Sequence, residues 1–479
     1  MDDGLVATST LRPRHARRSA SLEHPSTDTA ATDSPVARGL ASPPRLPAPE
    51  AAGVAGRGAI VGTFALVGLL LAMVALAVTT AAGPSSVIPK AQPQFFPGWL
   101  AGPLGGLGPR VSVGVLEALI VAICACYAVA LRYAAAISTR RLWTAIVLAH
   151  LAALLAPPLF SGDVFGYISF ARLDVLHDLS PYLFTANAAP HDAIYHLSGW
   201  TNLTTPYGPL FTLLTDALVP FGIAGGLWAL KGIAALTSLA TVALIWRVAP
   251  RLGRPRRAAI AFYGLNPLVL VFAVPGAHNE ALIGMFVAAG AISILVGQEA
   301  RGGLALVAAS AIKASAALAL PFALLGAPRR GRAAASMALG LVLAAIVGVI
   351  AFGPHVFSVG GALATQQGKI AGHSLPSQVS QWLGLGKLAP GVRVAFLAVF
   401  GGVFVASLWR TWRGAPWLDS YGWTTLALLA ATAWLLPWYG LWALLPASLS
   451  SSRRLRIATL IACAYLVTIR LAIQHPLAA

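Results

Sequence analysis

Four short polar stretches in this chain carry side chains able to do chemistry: Asp163 in LFSGDVFGYISFARL, Tyr207 in TPYGP, His278, Asn279 and Glu280 in AHNEA, and Lys313 in IKASA. A carboxylate within about 3 Å of a hydroxyl proton acts as a general base. A lysine ammonium is a compact charge that suits a phosphate oxygen. Each stretch stands at the end of an apolar run or breaks one. A charge there is costly unless water, a counter-ion or a substrate accompanies it. Acid, cation and aromatic rings at such places are the parts of an active site at a membrane–water boundary.

The elements that must position them are membrane helices. Of 479 residues, 57% are apolar and 10% charged, against roughly 25% charged in a soluble domain. The chain reads as an all-α polytopic membrane protein. Its net charge of +18 is therefore no nucleic-acid footprint, because Arg and Lys mark cytoplasmic loops in such proteins. Cys124, Cys126 and Cys463 lie inside apolar runs and give neither metal spacing nor a disulfide framework. Residues 1–58, rich in Ala, Pro, Ser, Thr and Arg, read as a disordered cytoplasmic tail. Residues 59–479 read as the membrane domain.

A span needs about 20 apolar residues. Candidates begin at Ala59, Val111, Leu142, Leu227, Ala258, Ala281, Ala333, Val392, Asp419 and Leu455. With the broken stretches around Lys313 and Pro437, about 11–13 crossings are expected. The stretch from Tyr207 to Phe221, set among Pro206, Pro209 and Pro220, reads as a surface or re-entrant helix. Arg132, Arg140, Arg141, Arg247, Arg251, Arg254, Arg256, Arg257, Arg329, Arg330 and Arg332 orient the set. They place the N-terminus in the cytoplasm and the loops of about residues 160–206 and 353–391 outside. All four polar stretches then converge on the external side.

In this order and spacing the motifs resemble the GT-C glycosyltransferases, and within them the actinobacterial polyprenol-phosphate-mannose-dependent α-1,6-mannosyltransferases of lipomannan synthesis in the cell envelope. The matching residues are FSGDVFGYISFARLDVLHDLSPY, TPYGPLF, NPLVLVFAVPGAHNEAL, IKASAALALPF and PWYGLWALLP, covering roughly Leu142 to Pro446. The resemblance implies a GT-C-like fold whose first external loop is catalytic. It implies a polyprenyl-phosphate mannose donor and a lipid-linked glycan acceptor, joined by an α-1,6 linkage with inversion. Asp163 becomes the catalytic base, with Tyr167, Tyr207, His278, Asn279, Glu280 and Lys313 binding substrate, and Lys313 on the donor phosphate. Many GT-C enzymes carry a second acid two residues on. Phe165 stands there, so no divalent metal or other cofactor is expected. Expected partners are the donor, the acceptor and membrane lipids, without nucleic acid.

Plainer readings compete at each position. Asp163 after Ser161-Gly162 would serve as a helix N-cap. TPYGP makes a good turn before a helix, AHNEA a polar cap between spans, and Lys313 a snorkelling side chain. Trp434, Trp438, Tyr439 and Trp442 read as an interfacial aromatic belt. Asp174, Asp178 and Asp192 read as solvated loop residues. A transporter or flippase would also carry polar groups in broken helices, although its usual inverted repeat is not visible in the sequence.

Overall fold

The structure, a computed structural model, describes residues 49–471, with side chains from residue 56. The expected tail up to residue 48 lies outside the described residues. The first helix, α1 (Pro49–Ala81), starts ten residues ahead of the expected Ala59. The chain continues through α2 (Gly98–Ala101), α3 (Val113–Arg132), α4 (Thr139–Leu155), α5 (Asp163–His177), α6 (Pro209–Asp216), α7 (Gly222–Val248), α8 (Arg256–Gly264), α9 (Glu280–Leu295) and α10 (Glu299–Ile312). It ends with α11 (Ala319–Gly326), α12 (Arg330–Phe352), α13 (Val359–Gln367), α14 (Leu375–Trp382), α15 (Pro390–Trp412), α16 (Trp417–Ala431), α17 (Leu441–Leu449) and α18 (Arg453–Thr468). Among the described residues there is no β-strand, only an isolated bridge between Gln92 and Phe95. Among the described residues five stretches are helical, long and apolar enough to cross a membrane: Gly56–Ala81, Val113–Arg132, Pro209–Leu252, Arg330–Gln367 and Pro390–Trp412. The protein is an all-α polytopic membrane protein.

Helices in lipid associate through close packing rather than the hydrophobic effect, so small residues mark their contacts. α10 shows this on two faces. A Cβ at Gly302 would stand 3.0 Å from the Gly290 carbonyl oxygen of α9, and one at Gly303 only 2.1 Å from Ser336 Oγ of α12. Wedged between α9 and α12, α10 delivers Lys313 to a fixed place. There the helix breaks, with Lys313 extended at φ −152° and ψ 130°. The break was legible as a charge in an apolar run.

α4 is set by two polar ties to α7. His150 hydrogen-bonds through its ring to the Ile146 carbonyl at 2.9 Å and to Ser238 Oγ at 2.9 Å. The fully buried Lys231 donates to the Ala156 carbonyl just past the end of α4, and lies 4.4 Å from the Trp228 ring centroid. Pro157 and Pro158 follow, and proline removes the donor that would continue a helix. Phe160 then turns with φ 61°, and its amide donates to the Val87 carbonyl at 2.6 Å. A bulky residue in the left-handed region costs about 1–3 kcal/mol and marks functional sites. This turn aims α5, and Asp163 is its first residue.

The loop expected at 353–391 is largely helical: a short 3₁₀ turn, α13 and α14 fill it. α6 is an eight-residue helix inside the stretch from Tyr207 to Phe221, followed by a 3₁₀ turn (Val219–Phe221) before α7.

Candidate active site

Asp163 is not a cap. The N-cap of α5 is Gly162, and the Asp163 amide instead donates to Ser161 Oγ at 3.2 Å. Its carboxylate faces inward, 12% exposed, with Oδ1 accepting from Trp200 Nε1 at 3.0 Å and Oδ2 lying 3.7 Å from His278 Nδ1. Burial raises its pKa above the ordinary carboxylate value. The Trp200 hydrogen bond and the Lys313 charge oppose that rise, and the Glu280 charge adds to it. The result is a carboxylate more basic than one in water.

His278 reaches Asp163 through an unusual local path. Asn266 ends α8, its side chain accepting from the Leu268 amide at 2.9 Å and donating to Tyr127 Oη at 3.1 Å. A π-helical turn (Leu268–Ala273) follows, a wider winding that recurs at functional sites. Ala277 adopts φ 53°, and the His278 amide bonds back to the Ala273 carbonyl at 2.9 Å. The imidazole stacks on Trp438 with centroids 3.7 Å apart, and neither ring nitrogen has a hydrogen-bond partner. Burial, with the Lys313 and Arg470 charges, lowers its pKa well below the usual histidine value. With its pKa lowered in this way, the ring beside Asp163 adds no cation to those already near that carboxylate.

Glu280 opens α9, where a carboxylate meets the positive end of the helix dipole. Its buried side chain pairs with Lys313 at 2.5 Å. Lys313 Nζ also lies 5.0 Å from the Tyr439 centroid, 5.7 Å from Tyr207 and 5.9 Å from Trp442. An ammonium ringed by aromatics is held by cation–π attraction, so Lys313 is not a snorkelling side chain. Glu280 Oε2 and both polar atoms of Asn279 are buried without partners. Orphaned buried polar groups are costly.

TPYGP is both a turn and part of the site. The Gly208 amide donates to the Ile312 carbonyl at 3.0 Å, tethering the turn beside Lys313. A Cβ at Gly208 would stand 2.2 Å from the Ala311 carbonyl oxygen. Gly208→Ala is therefore expected to lose about 1–3 kcal/mol and to separate Tyr207 from Lys313. Thermal unfolding of the solubilised protein measures this, and an unchanged melting temperature would contradict the tether. Tyr207 lines a narrow cavity of about 30 Å3 with Asp163, Trp200, Lys313, Trp434 and Tyr439. Tyr167 packs edge-on to Tyr207 at 5.1 Å and to Phe211 at 5.0 Å. It supports Tyr207 and is not among the residues lining that cavity.

Sequence reasoning missed several members. Trp434 and Tyr439 line the cavity and Trp438 stacks on His278, so these rings belong to the site and not only to an aromatic belt. Trp200 gave no signal, since its indole meets Asp163 across 37 residues. Lys369 sits 3.7 Å from the Trp200 centroid and 5.5 Å from Trp434. Asp192 is no solvated loop acid. Its side chain, 6% exposed, takes Arg172 Nε at 2.8 Å, Arg172 Nη2 at 3.1 Å and His177 at 2.7 Å. Burial pushes its pKa up, but these donors and the Ile194 amide outweigh it and hold the carboxyl below its usual range. The clamp ties α5 to the loop that leads on to Trp200. Among the described residues, no group of three or more His, Cys, Asp or Glu side chains is placed to hold a metal ion.

An acid, a lysine and a wall of aromatics thus meet where helices of a multispanning protein end. Residues 60–329 match the family model described as "Alpha-(1->6)-mannopyranosyltransferase, N-terminal domain", and residues 369–473 match the one described as "MptB C-terminal domain". The chain belongs to the alpha-(1->6)-mannopyranosyltransferase family. It is 35% identical over 192 residues to "Alpha-(1->6)-mannopyranosyltransferase A" of Mycobacterium tuberculosis, covering 38% of this chain and 36% of that protein. It is 30% identical over 269 residues to the protein of the same name in Corynebacterium glutamicum, covering 55% of this chain and 47% of that one. The chain thus spans less than half the length of these relatives. No solved structure matches it. The first family segment supplies Asp163, Trp200, Tyr207, His278, Glu280 and Lys313. The second supplies Lys369, Trp434, Trp438, Tyr439 and Arg470.

Proposed function

We propose that this protein transfers a mannosyl residue from a polyprenyl-phosphate donor to a lipid-linked glycan acceptor on the outer face of the cytoplasmic membrane, forming an α-1,6 linkage with inversion. The observation that carries the reading is the Asp163 carboxylate, buried, oriented by Trp200 and raised in basicity, in a chain of this family. The acceptor hydroxyl oxygen attacks the anomeric carbon while its proton passes to Asp163. The bond from that carbon to the phosphate oxygen breaks, and its electron pair leaves with the polyprenyl phosphate. One displacement with one base inverts the centre and needs no covalent intermediate. Tyr207, His278, Asn279, Glu280 and Lys313 bind the sugars, and Tyr167 supports them from behind. The family membership does not favour a transporter or flippase.

The test is transfer of labelled mannose from a polyprenyl-phosphate donor to a lipid-linked mannan by the purified protein, followed by linkage analysis of the product. A new α-1,6 bond, retained in excess chelator, is expected. Movement of substrate without a new glycosidic bond would sink the reading. The supporting topology has its own prediction. In a background with Cys124, Cys126 and Cys463 replaced by serine, single cysteines at His191 and Thr365 should label from outside, and those at Arg254 and Arg330 should not. The warrant is the bias of Arg toward cytoplasmic loops. External labelling at position 254 would place Asp163 on the wrong side for lipid-linked donors.

A further inference from the structure

Asp163 also borders a second set of cavities. Asp163 lines a cavity of about 240 Å3 together with Lys90, Phe160, Trp200, Trp438 and Arg470. This cavity shares Pro89, Phe160 and Arg470 with a neighbour of about 420 Å3, bounded by Val113 and Glu117 at the start of α3 and by Ile469 and Leu471 past the end of α18. Deeper between the same two helices lies a third cavity of about 340 Å3, lined by Cys124 and Leu131 of α3 and by Leu460, Cys463 and Val467 of α18. From Val113 to Leu131 the α3 axis covers roughly 27 Å at 1.5 Å per residue. That is close to the hydrocarbon depth of a bilayer, about 30 Å. The cavities succeed one another along both helices: the deep one is lined mostly by apolar residues, with Arg132 and Asn266 also on its wall, and the one at Asp163 carries Lys90 and Arg470.

The charges differ on the two sides of Asp163. Toward Tyr207, the Lys313 charge is engaged by Glu280. Toward α18 stand Lys90 and Arg470, with Lys369 close by over Trp200. Glu117 lies in the middle cavity. Arg470 is exposed and lies near enough for the Asp163 charge to act on its own. A planar guanidinium suits bidentate binding of a phosphate.

We propose that the groove between α3 and α18 holds the polyprenyl chain of the donor, that Arg470 with Lys90 binds its phosphate, and that the sugar thereby lies against Asp163. This rests on the lipid-linked donor of the proposed function. It gives Lys313 to the sugar side of the site and frees it from the phosphate role that the sequence pointed to.

The test is binding of polyprenyl phosphate itself, without sugar, to the purified protein in nanodiscs, so that the readout does not depend on transfer. Arg470→Gln should weaken binding by about 10–100-fold, the range for a hydrogen bond to a charged group. Arg470→Lys should restore part of it. Cys124→Trp, filling the deep cavity, should weaken a long-chain polyprenyl phosphate and leave a two-isoprene phosphate unchanged. Unaltered melting temperatures exclude misfolding. Equal binding by wild type and Arg470→Gln would overturn the proposal, as would a loss confined to Lys313→Gln. Binding that depends on Arg470 in a protein that transfers no mannose would uphold the groove and overturn the transfer reading.

Discussion

Asp163→Asn should reduce mannosyl turnover by about 10²–10⁴-fold, the usual contribution of a positioned general base. The substitution is close to silent for the fold. Asn keeps the size and can still accept from Trp200 Nε1, the 3.0 Å bond that orients the side chain. Asp163 makes no side-chain cap that Asn would need to replace. What Asn lacks is the ability to take a proton at neutral pH. Near-normal transfer by the purified variant would remove Asp163 from the role. The pH profile gives an independent check. The base works only when ionised, so kcat/KM should rise with pH through one limb and be lost below it. Burial raises the Asp163 pKa, so that limb should lie above the ordinary aspartate value of about 3.9. Glu280 contributes to the rise through its charge. Glu280→Gln should accordingly move the limb to lower pH, and a limb that moved upward would contradict this electrostatic account.

Lys313→Ala should cost about 3–5 kcal/mol of stability, because it strands the Glu280 carboxylate. That side chain is fully buried, and Lys313 is its cation, 2.5 Å away. Removing both charges is a different perturbation. Lys313→Met combined with Glu280→Gln keeps volume and leaves no orphaned charge, and such replacements are often neutral for stability. The double variant should therefore melt close to wild type while transferring poorly. Thermal unfolding of the solubilised variants, with transfer assayed on those that remain folded, separates the two contributions. Full activity in the folded double variant would make the pair purely structural. A wild-type melting temperature for Lys313→Ala would mean that Glu280 is not as isolated from water as its burial indicates.

Asp163, Glu280 and Lys313 were legible in the sequence because a charge beside or inside an apolar run is expensive and stands out. Their convergence was legible too, because Arg-bearing loops force the intervening runs back and forth. Trp200 was not legible, since an indole near a membrane surface looks the same whether it anchors the interface or holds a carboxylate. The loop leading to Trp200 is tied back to α5 by the Arg172–Asp192 pair, made between residues 20 apart in sequence. The aromatics from Trp434 to Trp442 were visible as a cluster, but only their three-dimensional contacts, Trp438 on His278, Tyr439 and Trp442 around Lys313, and Trp434 in the cavity wall, distinguish them from a belt. Arg470 stood among many arginines that orient helices, and nothing local separated it from them. The π-helical turn before AHNEA has no sequence signature comparable to a proline or glycine break.

The division of the site between the two family segments has a consequence for how this chain can change over time. The residues from Asp163 to Lys313 and those from Lys369 to Arg470 meet only in the folded protein, around one carboxylate. Neither segment on its own encloses a substrate. A swap of the later segment between relatives would leave Asp163 untouched and redraw the walls around it. The seam between the halves is thus a natural place for substrate preference to diverge while the reaction stays the same.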